Sequence, residues 1–524
     1  MINCMQCFSH NMKTIYITTP IYYVNAKPHL GHAYTTVVCD IFVRFHRMLG
    51  HKIKFTTGTD EHGKKIEQSA KAASIEPQIF VDKISKLFRE LLQTLNISND
   101  DFIRTTELRH KKSVANFWQE LKSKEYIYLS EYSGWYDIRN EAYFAEGELI
   151  DGKSPLGGDV QYITEPCYFF KLSMFQDKLL DLYETYPDFI YPVQRKNEVV
   201  SFVRQGLKDL AISRASFKWG IPVPDDPEHV IYVWLDALVN YLSSIGYPNN
   251  FDKTTWGNAT HFVGKEIVRF HAVYWPAFLM AAGLPLPKQI IAHGWWLSEG
   301  EKMSKSLGNV QDPTKYCKIF GADALRYFMI RDLPFGADGN FSLSGFLNRY
   351  NSFLANSYGN LCHRTLSFIK TRCENGTITK PIKLTDEDIA FTSDVTTLLE
   401  NAMNSMTKYA FSYYIEKIEN AIAIANQYID QQKPWILKNE DKADRMNTVL
   451  FILLEQIYKV TKFLYPVIPN AAESILKQMN IPYELTLDLK EGIPDTVTIN
   501  NSEIVFQKID ITDLSKFDVY AESI

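Results

Sequence analysis

Near the start of the chain, three hydrophobic patterns follow one another in an order that leaves few folds open. The run Thr14-Ile15-Tyr16-Ile17-Thr18-Thr19 alternates β-branched and aromatic residues, which predicts a buried strand. After a loop containing Pro20, Asn25 and Pro28, the residues Leu30, Val37, Val38, Ile41, Phe42, Phe45 and Leu49 recur at helical spacing, with Gly50 as the C-cap. Lys52 to Thr57 predicts a second strand. Strand, helix and strand in this order form a βαβ unit, so an α/β fold is expected, with ligands at the carboxyl ends of parallel strands.

The 524 residues exceed what one hydrophobic core can hold, so several folding units are expected. From Tyr128 the pattern changes to short aromatic-rich strands with turns at Asp151-Gly152 and Gly157-Gly158, which predicts an inserted unit ending near Pro224. Strand signals return at His229 to Leu235 and Thr260 to Val263, followed by an apolar helix from Glu266 to Ala281. Beyond Gly339 the pattern is almost wholly helical, from Phe346 through Tyr465, and predicts a separate helix bundle.

Composition narrows the classes further. With 46% hydrophobic and 22% charged residues, the chain is an ordinary globular one, and no apolar run reaches the length of a membrane span. Residues 1–13 show neither a secretory h-region nor an Arg-rich transit pattern, so a cytoplasmic protein is expected. Seven scattered cysteines suit a reducing compartment, and Cys4 with Cys7 is half a zinc site without a second half. The net charge of −5 offers no global attraction for nucleic acid, so any RNA contact must use local basic surface.

Two motifs carry chemistry. Pro28-His29-Leu30-Gly31-His32 lies where the first strand feeds the first helix, and its two histidines share one helical face. A helix N-terminus with a glycine admits an anion close to the backbone, and phosphate is the natural guest, although His-x-x-His taken alone is more often incidental or a metal pair. Lys302-Met303-Ser304-Lys305-Ser306, between Gly300 and Gly308, is a polar loop whose two lysines could neutralise a polyphosphate.

Together, the His-Leu-Gly-His and Lys-Met-Ser-Lys-Ser segments resemble the paired signature of class I aminoacyl-tRNA synthetases. The resemblance implies a Rossmann-like parallel-sheet catalytic domain split by a connective insertion and followed by an all-α anticodon-binding bundle. The catalytic halves are then expected at 13–126 and 225–290, the insertion at 127–224, the lysine loop and stem-contact region at 291–345, and the bundle at 346–524. It also implies that His29, His32, Lys302 and Lys305 surround the phosphates of ATP, with Mg²⁺, and that Gly31, Gly264, Lys265, Glu266 and Ser304 complete the nucleotide site. Glu266 is then expected near the ribose.

Other segments are similar to methionyl members of that class. The implied methionine pocket comprises Ile21, Tyr23, Asp60, Trp234, Ala237, Tyr241 and His293. The chemistry agrees, since a carboxylate can pair with the substrate ammonium and aromatic walls suit a polarisable thioether. Many relatives carry cysteine-bound zinc in the insertion, but here the corresponding stretch has only Cys167, so no structural zinc is expected. Asn356, Asn360 and Arg364, at i, i+4 and i+8, share one helical face. The resemblance pairs that face with Trp435 to read the anticodon of tRNA(Met), and a monomer is expected. Two rivals remain open: a class I synthetase for another amino acid, and a non-catalytic tRNA-binding protein on the same scaffold.

Overall fold

The structure is a computed structural model that describes residues 14–137, 142–144, 146–155, 157–298, 300–302, 310–439 and 442–510. The βαβ unit forms as its pattern dictates. Strand β1 (Thr14–Thr18) feeds helix α1 (Leu30–Met48), which returns the chain to β2 (Lys52–Asp60). β1 and β2 are parallel, with Ile15 opposite Ile53 and Ile17 opposite Phe55. Four further strands complete a parallel sheet: β3 (Asp101–Arg104), β4 (Ile190–Tyr191), β5 (Ala259–Gly264) and β6 (Gln289–His293), in the spatial order β3-β2-β1-β5-β6-β4. The short pair Tyr22–Tyr23 extends the β1 edge of β2 beside Thr59 and Asp60. All six residues of β5 are buried, as a strand covered on both faces requires.

The insertion is built on a long antiparallel pair, Ile127–Asp137 against Val160–Phe170, flanked by Ala142–Phe144 and Leu210–Ala211. The stretch 127–224 is not one uninterrupted excursion. At Ile190–Tyr191 it returns to the parallel sheet and pairs with Ile290 and Ile291. Two residues are too few to leave a periodic signal, which is why the sequence pattern misses this strand.

Local differences have similar causes. The strand expected at His229 to Leu235 is Asp226–Ile231, and Val233–Ser243 is a helix, α2. In a short apolar run, alternation and helical spacing coincide, and the inward residues Leu235, Leu238, Val239 and Leu242 satisfy the helix. The expected helix from Glu266 is a 3₁₀ turn at Lys265–Ile267, a π-helical stretch at Phe270–Tyr274 and an α-helix at Trp275–Ala282.

The helical C-terminal part does not have a core of its own. Val37, Ile41 and Phe45 of α1 belong to the same apolar cluster as Val395, Ile418, Leu450 and Leu453 from three long helices of the bundle. The other face of the sheet packs against α2, the helix Trp275–Ala282 and the insertion, through residues such as Leu238, Phe278 and Phe170. Arg326 joins these parts from full burial. It donates to Asp40 Oδ2 of α1 at 2.7 Å, to Leu95 O at 3.0 Å, and to Pro466 O and Val467 O of the bundle at 2.7 and 2.9 Å. Tyr409, from the turn between two bundle helices, stacks on Phe42 of α1 and donates to Gln289 Oε1 of β6. Among the described residues, no helix is long and apolar enough to cross a membrane.

Candidate active site

The carboxyl ends of β1, β2, β5 and β6 open onto a cavity of about 530 Å³. One end of it is made by the start of α1. His29 is the N-cap residue, with extended backbone, and its Nδ1 accepts from Gly31 N–H at 3.1 Å. His32 Nδ1 accepts from His29 N–H at 3.1 Å, so the two side chains form a reciprocal capping box with rings stacked 3.8 Å apart. Burial, with the neighbouring His29 ring adding to it, pushes the His32 pKa well below its ordinary value, so the ring is neutral. With Nδ1 occupied as an acceptor in both rings, each neutral imidazole carries its proton on Nε2. The site therefore has two ring N–H donors at the positive end of the helix dipole, a combination suited to an anion, while the first N–H groups of α1 are held by His29, His32 and Gln311. Gly31 matters sterically, because a Cβ there would stand 3.0 Å from His29 Cε1.

The wall beside this end comes from Ile21, Tyr23 and Asp60, brought together by the pairing of Tyr22–Tyr23 with the last residues of β2. Opposite stand Trp234, Ala237 and Tyr241, which lie at i, i+3 and i+7 of α2 and so face the cavity together. Trp234 stacks face to face on Phe270 at 3.7 Å, and Tyr241 Oη lies 2.7 Å from His271 Nε2. His271 Nδ1 donates to Ile267 O at 3.0 Å, which leaves Nε2 to accept the tyrosine proton. Burial pulls the pKa of His271 down to about 4 and pushes that of Tyr241 well up, so both are neutral. His293 Nδ1 donates to Gly294 O at 2.7 Å, and its Nε2 lies 2.8 Å from Thr35 Oγ1. Burial again lowers its pKa.

The third side is formed after β5. Glu266 Oε2 accepts from Trp295 Nε1 at 2.6 Å, and a Cβ on Gly264 would collide with the Glu266 carboxylate at 2.6 Å. Lys265 turns from the cavity to Asp338, with Nζ 2.6 Å from Oδ2 and 4.1 Å above the Trp295 ring.

Of the residues singled out in the sequence, His29, Gly31, His32, Ile21, Tyr23, Asp60, Trp234, Ala237, Tyr241, Gly264, Glu266 and His293 all line this one cavity. The backbone of Lys302 lies in a short strand, Glu301–Lys302, paired with Leu297 and Ser298, and Gln311 O accepts from Leu30 N–H at 3.1 Å. Ser304 and Lys305 lie outside the described residues. Sequence reasoning missed Tyr34, Asn240, Phe270, His271, Trp295 and Trp296, which also line the cavity. Trp295 could have been found from its place next to His293-Gly294. The others share the spacing of core residues and carry no signal of their own.

Asn356, Asn360, Arg364 and Trp435 form a separate surface on the bundle. Both asparagines are exposed, and Arg364 sits 5.7 Å from the Trp435 ring centroid. Asn356 falls in a π-helical stretch, Tyr350–Gly359, and the other two in the α-helix Asn360–Arg372. Cys167 is buried and its thiol donates to Ser213 O at 3.1 Å. Among the described residues, no group of three or more His, Cys, Asp or Glu side chains could hold a metal ion.

A parallel sheet split by an insertion, with stacked histidines at the first helix N-terminus and the cavity at its strand ends, is the arrangement of a class I aminoacyl-tRNA synthetase. A family profile described as tRNA synthetases class I (M) matches residues 15–165 and 146–366. A second, the anticodon binding domain of methionyl tRNA ligase, matches 379–520. The methionine–tRNA ligase of Rickettsia conorii is 50% identical over 498 residues, covering 94% of this chain and 97% of that protein. That of Mesorhizobium japonicum is 47% identical over 473 residues, covering 89% and 91%. Mycobacterium tuberculosis methionyl-tRNA synthetase in complex with methionyl-adenylate superposes with a TM-score of 0.91 at 40% identity, covering 94% of this chain and all of that one. The chain belongs to the methionyl-tRNA synthetase family.

Proposed function

We infer that this chain joins methionine to its transfer RNA at the expense of ATP, in two steps. The methionine carboxylate attacks the α-phosphate of ATP, forming methionyl-adenylate and releasing pyrophosphate. The terminal ribose hydroxyl of tRNA(Met) then attacks the adenylate carbonyl, and AMP leaves. The carboxylate is already ionised, so the first step calls for positioning and charge stabilisation rather than a general base.

The observation that carries this reading is that a carboxylate, an aromatic wall and a pair of donor histidines line a single cavity. Asp60 receives the substrate ammonium, and Ile21, Tyr23, Trp234, Ala237, Tyr241 and His293 enclose the thioether. The Nε2–H groups of His29 and His32 and the start of α1 hold the phosphates, with Gly31 giving them room. Gly264 and Glu266 take the ribose side. Lys302, Ser304 and Lys305 close on the leaving pyrophosphate, and Mg²⁺ enters as the metal complex of ATP. On the bundle, Asn356, Asn360 and Arg364 hydrogen-bond to unstacked anticodon bases while Trp435 stacks on one. The place of work is the cytoplasm.

ATP–pyrophosphate exchange measured with each proteinogenic amino acid in turn tests the reading. Exchange with methionine alone supports it. Exchange with another amino acid overturns the pocket assignment, and no exchange in folded protein overturns the catalytic one. Lys302→Ala and Lys305→Ala should each lower the exchange rate by about 10²-fold with the methionine KM little changed, because their partners are phosphates.

A further inference from the structure

Behind the aromatic wall lies a cluster of buried ionisable side chains that the mechanism does not use. Asp236 of α2 is fully buried and both of its oxygens are engaged: Oδ2 with His62 Nδ1 at 2.6 Å, and Oδ1 with His110 Nε2 at 2.7 Å. Burial by itself would raise the Asp236 carboxyl, but the charge of His62 and hydrogen bonds from His110 and His62 hold it down at about 2. An ionised carboxylate only accepts, so His62 carries a proton on Nδ1 and His110 one on Nε2. His110 is buried as well, with its Nδ1 3.1 Å from the Oγ of Ser243, two turns further along α2.

The geometry of α2 gives this cluster a bearing on the substrate. A helix turns about 100° per residue, so Trp234, Ala237 and Tyr241 fall on the cavity side, and Asp236 and Ser243 on the side away from it. His62 belongs to the same tight segment as Asp60, just past the end of β2. That segment is pinned on its other side through Glu61, which takes Arg104 in a two-pronged pair at 2.7 and 2.9 Å and the hydroxyls of Thr59 and Thr106. Trp219 Nε1 donates to Glu61 O at 2.6 Å, and its ring packs edge-on against His62. Asp60 is thus held between two buried networks, one of which ends on the helix that forms the opposite wall.

We propose that the His62–Asp236–His110 chain is a positioning device for methionine, setting the separation between the Asp60 carboxylate and the Trp234, Ala237 and Tyr241 wall. The proposal rests on the reading that Asp60 receives the substrate ammonium. His62 and His110 touch no substrate and act only through Asp236 and α2. Buried charge pairs of this kind are weak sources of net stability, so a role in fixing geometry is the one put to the test.

The test is ATP–pyrophosphate exchange on the full chain carrying His62→Ala, His62→Asn, His110→Ala, Asp60→Asn, or His62→Ala with Asp60→Asn. Asparagine places a donor where His62 Nδ1 stands. His62→Ala should raise the methionine KM about tenfold or more while the ATP KM and kcat stay within about twofold, the signature of lost substrate binding. His62→Asn should restore the KM to within about threefold of the parent. Added to Asp60→Asn, His62→Ala should raise the KM by less than about threefold further, because two residues acting on one contact are not additive. His110→Ala, which releases only the far oxygen of Asp236, should show the same split and serves if His62→Ala does not fold. An unchanged methionine KM in both alanine variants, a parallel rise in ATP KM with a fall in kcat, or failure of asparagine to rescue would each overturn the proposal. An unchanged methionine KM in Asp60→Asn would instead overturn the ammonium assignment itself, and the proposal with it.

Discussion

Replacing Arg326 by Met probes whether the sheet and the bundle form one cooperative body. The fully buried guanidinium makes four hydrogen bonds of 2.7–3.0 Å, to Asp40 and to three main-chain carbonyls drawn from two distant segments. Methionine fills much of the volume but supplies no donor. Asp40 keeps Arg44 and the Ser98 N–H and hydroxyl, so its charge is only partly stranded. The carbonyls of Leu95, Pro466 and Val467 lose their guanidinium donor, at about 1 kcal/mol each at the low end of the range for buried acceptors. With the lost ion pair, the expected destabilisation is about 3–5 kcal/mol, in line with breaking a buried charge pair. Urea unfolding followed both by tryptophan fluorescence, to which the buried Trp118, Trp256 and Trp275 of the sheet side contribute, and by far-UV circular dichroism measures it. The two signals should move to lower urea together. A loss under about 1 kcal/mol, or a helical signal that melts apart from the fluorescence, would refute the shared-core account.

Acid should weaken the fold below the ordinary histidine range. Burial holds His46 at about 3 and His271 at about 4, so between those values and about 6.5 the unfolded chain binds protons that the folded one refuses, and stability falls as pH falls. From neutral pH to pH 4.5 these two together remove about 5 kcal/mol, and His46→Phe should recover about half; a urea midpoint that is flat over this interval would contradict the argument. Tyr241→Phe strips the hydroxyl from His271 Nε2 in a buried wall, so the methionine KM should rise about 5- to 30-fold, equivalent to 1–2 kcal/mol, with the ATP KM unchanged in the exchange assay. Gly294→Ala places a Cβ 2.1 Å from Ala337 O, a clash with backbone that no side-chain movement relieves. It should abolish exchange, whereas Gly300→Ala, whose Cβ meets none of the described residues within 4 Å, should yield folded protein despite its left-handed φ of 83°, as circular dichroism would verify.

Much of the site is legible in the sequence because its residues cluster in short segments with fixed local geometry. His29 and His32 lie one turn apart at a helix start that their own side chains cap, and Trp234, Ala237 and Tyr241 repeat at helical spacing. His271 and Phe270 are not legible in this way. They lie on a π-helical stretch inside an apolar run, and only the stacking on Trp234 and the bond to Tyr241 separate them from core residues. Lys265 differs again: its segment resembles the part of the family site that meets the adenosine, and its pairing with Asp338, distant in sequence, leaves no mark in the local pattern.

Local patterning along the chain is enough to set the βαβ start, the helical character of the C-terminal part and the segments that carry chemistry, since each depends on periodicity or on neighbours within a few residues. Long-range packing is what makes the bundle share the core of α1, lets Ile190–Tyr191 close the sheet edge within the insertion, and has Asp236 grip His62 and His110 behind the pocket. Those features are contacts between segments far apart along the chain, and pairing energy at such separations depends on three-dimensional packing, which leaves no period in the sequence.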